Sequence, residues 1–403
     1  MPSTNLEAFF GLPADVVFCK NCVISNQRPR STVEFKHATD EKKATIGFGA
    51  DGICEACTYH LEKEHTISWK DREDQLVAVL DKFRRKRGHD VIVPGSGGKD
   101  SAFTSHVLKY RYGMNPLTVT WAPHAYTEIG WKNFENWIHV GGHDNILFTP
   151  NGRLHRLLTR LAFKNLLHPF QPFIVGQRII GPRMAERFGV ELVMYGENQA
   201  EYGNASSENY IPTMDRKFFS TDDPTEMLLG GVKIADIIRD HGYTLNDFEP
   251  YIPPSAQSLT DAGVEVHYLG YYLKWDPQEC YYYASEHTGF RANTERTPGT
   301  YSKYSSIDDK IDMFHYFTTL IKFGIGRATY DAAQEVRNGK ITRDEAVKLV
   351  QLYDQEFPAK FFDYFLEYID MSPEEFWQTV DSFRSPHLWV KEGDQWRLRH
   401  QVT

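Results

Sequence analysis

The segment DVIVPGSGGKDSAFTSHVLKY, residues 90–110, predicts a strand, a glycine-rich turn and a helix in immediate succession. Residues 90–94 form a short apolar run typical of a buried strand, and the apolar spacing of residues 102–110 is typical of a helix. Glycines let the backbone of the turn approach an anion closely, and the free N–H groups of a helix start point toward negative charge. The segment therefore predicts a phosphate-binding loop at residues 95–101.

This loop differs from a Walker A motif. That motif requires a glycine where this sequence has Val93, and a serine or threonine where it has Asp100. Residues 96–101, SGGKDS, instead resemble the PP-loop of the N-type ATP pyrophosphatases. The resemblance implies that the loop binds the β- and γ-phosphates of ATP as one unit, and that ATP is split into AMP and pyrophosphate.

Four further apolar runs predict the remaining strands of a sheet that alternates with helices. This order favours an α/β fold with an open, doubly wound parallel sheet, in which ligands bind at the carboxyl ends of the strands. The further strands are predicted at residues 116–121, 145–149, 190–195 and 264–269, and the helices at 69–87, 131–140, 153–168 and 171–188.

Polar residues follow the predicted strand at 190–195, in the sequence YGENQAEYG of residues 195–203. In a doubly wound sheet this position lies beside the expected binding crevice. Glu197 is a candidate to coordinate Mg²⁺ or to orient a substrate, and Asn198 and Glu201 are candidate substrate contacts. A loop whose carboxylates face solvent is the alternative interpretation.

Four cysteines near the start of the chain form two CxxC pairs, Cys19 with Cys22 and Cys54 with Cys57. Two such pairs can supply the four sulfur ligands of a tetrahedral zinc site. Because all four positions would be closed by sulfur, we expect a structural Zn²⁺ that supplies folding energy to a small segment. An iron–sulfur site is chemically possible with the same ligands. Cys280 stands apart and is interpreted as a packed thiol.

The length of 403 residues predicts two or three folded units. We expect a zinc-binding module at residues 1–68, a PP-loop domain at 69–287 and a mainly helical domain at 288–403. In the last unit, amphipathic helices are predicted at 307–316, 330–338, 342–352 and 358–368.

The composition narrows the environment and the class of ligand. The net charge of −9 argues against a nucleic acid as the main ligand, because phosphate backbones favour a basic face. No run approaches the roughly 18–20 apolar residues that span a bilayer, and the first residues do not form a secretory signal. The sequence therefore predicts a cytoplasmic protein.

The order of motifs along the chain is similar to that of the N-acetyl sugar amidotransferases. The similarity lies in the paired CxxC motifs, the loop at 95–101, the sequence YGEN at 195–198, and the later segments RTPGTYSKY at 296–304 and IKFGIGR at 321–327. Enzymes of that family make acetamidino sugars for bacterial lipopolysaccharide O-antigens and flagellin glycans. The resemblance implies a nucleotide-linked N-acetyl sugar as substrate, adenylylated on its acetamido oxygen and then attacked by ammonia.

The resemblance also implies roles for particular residues. Asp100 is a candidate ligand of the Mg²⁺ that accompanies ATP, and Glu197 is a second candidate catalytic residue. Lys322 and Arg327 are expected to close over ATP or the sugar nucleotide. The pyrophosphate is expected to contact Ser96, Gly97, Gly98, Lys99 and Ser101, and the diphosphate of the sugar nucleotide to contact Arg291, Arg296 and Lys303.

An amidotransferase needs ammonia, and the sequence contains no recognisable glutaminase motif of its own. The resemblance implies a separate glutaminase paired with a cyclase-like barrel. Two other functions remain open from the sequence. One is thiolation or amidation of a tRNA base by an enzyme of the same superfamily, and the other is a non-catalytic nucleotide-binding scaffold.

Overall fold

The computed structural model describes residues 6–30, 40, 42–203 and 210–403. Its centre is a five-stranded sheet in which every neighbouring pair is parallel, with the strand order β3-β2-β1-β4-β7. The strands are β1 Val91–Pro94, β2 Pro116–Trp121, β3 Asp144–Phe148, β4 Leu192–Tyr195, β5 Leu228–Leu229, β6 Val232–Lys233, β7 Glu265–Tyr268, β8 Trp389–Glu392 and β9 Gln395–Leu398.

The strand order explains where a ligand can bind. The chain runs outward from β1 through β2 to β3 and then returns to place β4 on the other side of β1. The order therefore reverses between β1 and β4, and such a switch point opens a crevice at the carboxyl ends of the two strands. This confirms the predicted α/β class with an open parallel sheet.

Helices connect and cover the strands. Helix α6 packs across β1, β2 and β4, and α3 packs on β1, β4 and α10. The helices are α1 Glu55–His65, α2 Trp69–Phe83, α3 Lys99–His106, α4 Glu128–His139, α5 Gly152–Leu166, α6 Gln171–Phe188, α7 Ile234–His241, α8 Ala256–Asp261, α9 Leu269–Tyr272, α10 Pro277–His287, α11 Asp312–Phe323, α12 Arg327–Arg337, α13 Arg343–Tyr353, α14 Phe362–Ile369 and α15 Pro373–Ser382.

The apolar core joins the sheet to the C-terminal helices. One continuous cluster contains sheet residues such as Val93 and Val193 together with Phe314 of α11 and Phe365 of α14. A second cluster packs the four cysteines against α12 and α13, and includes Ala332. The four cysteines are therefore held against α12 and α13. The sheet shares its core with α11 and α14.

The C-terminal region is helical as predicted, but two of its details differ. The helix predicted at 307–316 begins only at Asp312, because the carboxylate of Asp309 accepts the backbone N–H groups of His124 and Ile311 and holds the preceding residues in a turn. The antiparallel hairpin of β8 and β9 was not predicted. Gly393, at φ 63°, forms its turn.

Each helix within the described ranges is too short or too polar to cross a lipid bilayer.

A close approach between α4 and the residues before α11 gives a test of the fold. A Cβ atom on Gly130 would lie 2.4 Å from the Cα of Asp308. We expect Gly130→Ala to lower the free energy of unfolding by about 1–3 kcal/mol, because the backbone must move to remove the overlap.

Gly152 provides the matched control, since it also lies in the first turn of a helix and a Cβ there would meet nothing within 4 Å. We expect Gly152→Ala to leave the stability unchanged or to raise it by up to about 1 kcal/mol. Denaturant unfolding of both variants measures the difference, and equal stability would contradict the close approach at Gly130.

Candidate active site

The glycine-rich loop leaves β1 at the switch point and leads directly into α3. Gly97 adopts φ 83°, and a Cβ there would lie 2.8 Å from the Cα of Phe134, so the position accommodates only glycine. Gly98 precedes the first turn of α3, and no side chain caps that turn in the described structure. The N–H groups at the start of α3 are thus free to bind an anion.

The side chains of the loop are held by a small network. The hydroxyl of Ser96 donates to Asp308 at 2.8 Å, and the hydroxyl of Ser101 donates to the carbonyl of Gly98 at 3.1 Å. The ammonium of Lys99 lies 2.6 Å from one carboxylate oxygen of Asp100. The other oxygen of Asp100 is buried and has no hydrogen-bond partner among the described residues. This oxygen is available for a ligand.

The charges around the loop perturb one another. Burial raises the pKa of Glu197 to about 7, and the nearby carboxylate of Asp100 adds to the shift. Burial acts to lower the pKa of Lys99, but the carboxylates of Asp100 and Glu197 outweigh it and raise that pKa. Lys99 therefore stays charged, while Glu197 can gain or lose a proton near neutral pH.

A cavity of about 310 Å³, the loop pocket, lies against the loop. Carboxylates dominate the charge of its wall, and burial raises the pKa of one of them, Asp312, to about 7. Its basic residues are Lys99, Arg327 and Lys340, and its acidic residues are Asp100, Glu197, Asp276, Asp308, Asp312, Asp331 and Glu335.

A second cavity of about 570 Å³, the basic cavity, adjoins the loop pocket. Its charged lining is mainly positive, with Glu197 and Asp331 as the carboxylates. The positive residues are Arg28, Arg30, Lys43, Arg178, Lys322, Arg327 and Arg337. Both cavities are lined by Glu197, Tyr202, Tyr316, Arg327, Asp331 and Gln334, which we call the shared wall.

Arg327 and Lys322, expected to act together, occupy different places. Arg327 begins α12 on the shared wall, where its guanidinium lies 3.1 Å from Asp331 and packs on the ring of Tyr316. Lys322 lies in the last turn of α11, is buried, and donates to the carbonyl of Leu166 at 2.6 Å. Lys322 lines the basic cavity and is not among the described residues of the loop pocket.

The three polar residues after β4 also separate. Glu197 lies on the shared wall, where the hydroxyl of Tyr202 donates to its carboxylate. Asn198 is buried and accepts the backbone N–H of Ala200 at 3.2 Å. Glu201 is buried in an ion pair with Lys63 at 3.0 Å, so its carboxylate stabilises the packing of α1.

The basic residues predicted to meet a diphosphate lie elsewhere. Arg296 forms a two-point ion pair with Glu356 at 2.5 and 2.7 Å, and exposed Lys303 donates to a backbone carbonyl at 3.0 Å. Arg291 is also exposed. None of the three is among the described residues that line either cavity. Arg296 and Lys303 each have a close polar partner, which the sequence did not indicate.

The four cysteines come together as predicted. All are buried, and their sulfur atoms lie within 4.8 Å of one another. The sulfur of Cys19 is 3.9 Å from that of Cys57, and the sulfur of Cys22 is 3.8 Å from that of Cys54. This arrangement could hold a metal.

Several residues of the site were not found from the sequence. Asp308, Asp312 and Asp331 reach the loop pocket from segments more than two hundred residues away from the loop. Arg28 and Arg337 reach the basic cavity from opposite ends of the chain. The sequence contains one signal for Arg28, which is its position six residues after Cys22 of the first CxxC pair.

Comparison with known proteins gives one family match. Residues 298–403 match the family described as LPS biosynthesis protein WbpG-like, C-terminal domain. No curated protein sequence matches the chain.

Three solved structures are distantly similar. NMN synthetase from Francisella tularensis is 12% identical, with a TM-score of 0.29 over 76% of this chain and 98% of that one. The U34-tRNA thiolase NcsA from Methanococcus maripaludis, solved with its [4Fe-4S] cluster, is 12% identical, with a TM-score of 0.28 over 87% and 95%. NAD+ synthetase from Burkholderia pseudomallei is 15% identical, with a TM-score of 0.23 over 58% and 93%.

Proposed function

We propose that the protein is an ATP-dependent amidotransferase that converts the acetamido group of a nucleotide-linked N-acetyl sugar into an acetamidino group. The proposal depends on one observation: the loop pocket and the basic cavity lie side by side and have the shared wall in common. Two substrates held in these cavities would meet at the wall. The WbpG-like C-terminal match, described for LPS biosynthesis, supports a sugar as the acceptor.

In the first step the acetamido oxygen attacks the α-phosphorus of ATP. A bond forms between that oxygen and phosphorus, the bond from the α-phosphorus to the bridging oxygen breaks, and pyrophosphate leaves. The product is an O-adenylyl imidate after loss of the amide proton. This step converts an amide oxygen, which is a poor leaving group, into part of AMP, which is a good one.

In the second step ammonia attacks the imidate carbon and AMP departs with the former acetamido oxygen. The nitrogen must lose a proton as the new bond forms. Glu197 is suited to accept it, because burial raises its pKa to about 7 and it lies on the shared wall. Atoms balance as amide, ATP and ammonia giving amidine, AMP and pyrophosphate.

The loop binds and orients the leaving pyrophosphate. The N–H groups at the start of α3 supply hydrogen bonds, and Lys99 supplies a positive charge. The hydroxyls of Ser96 and Ser101 would add hydrogen bonds after turning away from Asp308 and the Gly98 carbonyl. Arg327 on the shared wall would stabilise the negative charge that develops on the α-phosphate. Most of the catalysis would come from this positioning and charge stabilisation.

The loop pocket also fits a magnesium ion bound together with ATP. One buried oxygen of Asp100 has no hydrogen-bond partner in the described part of the chain and is the hard ligand that Mg²⁺ prefers. Glu197 is near enough for its charge to interact with that carboxylate. A bound Mg²⁺ would neutralise phosphate charge as pyrophosphate leaves.

We propose that the four cysteines bind one zinc ion. Sulfurs bound at about 2.3 Å in a tetrahedron lie about 3.8 Å apart, which agrees with the 3.8 and 3.9 Å separations here. In a four-iron cluster each cysteine binds a different iron atom, so the sulfurs must spread farther apart. The compact spacing therefore favours a single ion.

We propose that ammonia comes from a separate glutaminase with a cyclase-like barrel. Cys280 is poorly suited to replace it, because it is buried and burial raises the pKa of its thiol. Glutamine hydrolysis by this chain would require an exposed, activated nucleophile.

The reaction can be tested by pyrophosphate release from ATP and ammonium chloride with a panel of UDP- and CMP-linked N-acetyl sugars. We expect release that depends on one sugar nucleotide, together with a product in which NH replaces O by mass. Glutamine should not replace ammonium. We expect Asp100→Asn to slow the reaction by about 100-fold or more, because a carboxylate ligand of the Mg²⁺ that accompanies ATP is lost.

Asp144→Asn is the matched control, since Asp144 begins β3 at the opposite edge of the sheet and its side chain is 75% exposed. It should retain full activity.

Pyrophosphate release only with bulk tRNA would replace the proposal with a tRNA-modifying function. ATP binding without release for any acceptor, with or without a glutaminase, would favour a scaffold.

The metal can be tested on the purified chain. We expect one zinc ion per chain, and Cys54→Ser should lose it and lower the melting temperature, because a metal-bound segment depends on its ion for folding energy. Cys280→Ser should retain the zinc. Iron with acid-labile sulfide in the anaerobically purified protein would contradict the zinc assignment.

A further inference from the structure

We infer that the basic cavity binds the phosphates of the acceptor sugar nucleotide, with Arg28 and Arg337 as the principal contacts. The inference rests on the proposed function and adds to it the residues that hold the second substrate. From the sequence we expected the diphosphate at Arg291, Arg296 and Lys303. The structure instead favours the basic cavity, between the residues around Arg28 and α12.

The buried side chain of Arg28 is the feature that most strongly indicates an anion site in this cavity. Its side chain is buried, with 6% of the residue exposed, and its Nη1 has no hydrogen-bond partner among the described residues. No ion pair joins it to a carboxylate in the described part of the chain. Burial lowers the pKa of the guanidinium, because a buried site disfavours its charged form. An unpaired buried guanidinium is costly unless a ligand supplies the negative charge.

The near neighbours of Arg28 do not supply that charge. Its guanidinium lies over the rings of Tyr202 and Tyr330, at 5.4 and 5.5 Å from their centres. Burial raises the pKa of both phenols, so they are neutral at physiological pH. The two rings fix the position of the guanidinium without bringing a negative charge to it.

Arg337 brings a second positive charge into the same cavity. It is buried, with 8% exposed, and one nitrogen donates to the carbonyl of Glu201 at 3.2 Å. Burial acts to lower the pKa of Arg337, whereas the neighbouring cysteines and Glu201 act to raise it. Arg337 in turn lowers the pKa of Arg28. Two like charges turned toward one cavity form a typical phosphate site.

Two other basic residues of the cavity have close polar partners and serve as a contrast. Arg30 donates to both carboxylate oxygens of Glu55 at 2.8 Å, although its Nε has no hydrogen-bond partner among the described residues. The ammonium of Lys322 donates to a backbone carbonyl. Arg28 differs from both, which makes it the informative position for a test.

The place of the cavity suits the proposed chemistry. Its volume of about 570 Å³ lies within the range of roughly 300–1,000 Å³ that holds compact organic ligands. Tyr316 and Tyr330 offer aromatic faces for a base or sugar. With its phosphates at Arg28, a ligand can extend to the shared wall, where Glu197 and Arg327 face the loop pocket. The acetamido group would then meet the α-phosphate of ATP.

The test measures binding to the full, metal-loaded chain by calorimetry. The probes are UDP-N-acetylglucosamine, the GDP- and dTDP-linked N-acetyl sugars, and inorganic phosphate. We expect at least one sugar nucleotide to bind, and Arg28→Gln to raise its Kd about tenfold or more, because a charge-assisted hydrogen bond is lost. Arg28→Lys should restore part of the affinity, since it restores the charge without the fork of donors.

Three controls separate binding from folding. Arg28→Gln should keep its full metal content and its affinity for an ATP analogue, and Arg291→Gln should bind the sugar nucleotide like the parent protein. The inference is overturned if no sugar nucleotide binds the parent protein, if Arg28→Gln binds it equally well, or if only inorganic phosphate binds.

The two proposals fail in different ways. Sugar-nucleotide-dependent pyrophosphate release with an unchanged KM in Arg28→Gln would retain the amidotransferase and reject this binding site. Binding that depends on Arg28, with no pyrophosphate release from any acceptor, would retain the site and reject the proposed reaction.

Discussion

The contact between the start of α4 and Asp308 holds the two halves of the candidate active site together. Gly130 allows the backbones to touch, and the N–H of Thr127 donates to the carbonyl of Asp308 at 3.1 Å. The carboxylate of Asp308 then accepts a hydrogen bond from Ser96 in the loop. Through this contact the residues that precede α11 reach the carboxyl edge of the sheet, so α11 and α12 can complete both cavities. A sheet without this contact would carry the loop but only one wall of the site.

The two cavities divide the charge of the site. The loop pocket is mainly acidic, which suits ATP accompanied by a divalent cation, and the basic cavity is suited to an anion that arrives without one. Under the proposed function, each cavity takes a different ligand and the reactive ends of the two ligands meet at the shared wall. Because the residues of the wall are only partly exposed, solvent screens their charges less than it screens charges on the open surface. Under the proposed function, Arg327 and Glu197 are therefore the residues of the wall assigned to the chemical steps.

The sequence predicted those parts of the structure that depend on local pattern. The loop, the succession of strands and helices along the chain, and the cysteine pairs each follow from short segments whose spacing has a direct physical meaning. The partners of long side chains depend on tertiary packing and could not be found in this way. Arg296, for example, pairs with Glu356, sixty residues away, and Glu201 pairs with Lys63. The helix predicted from residue 307 was misplaced for the same reason, since Asp309 bonds to His124 from another part of the fold.

The central claim is that the acetamido oxygen is transferred to AMP. It is tested most directly by labelling that oxygen with oxygen-18 and analysing the nucleotide product by mass spectrometry after turnover with ammonium. We predict that AMP carries the label and that the pyrophosphate does not. Unlabelled AMP formed together with an amidino product would show that the oxygen leaves by another route, and would contradict adenylylation of the acetamido group.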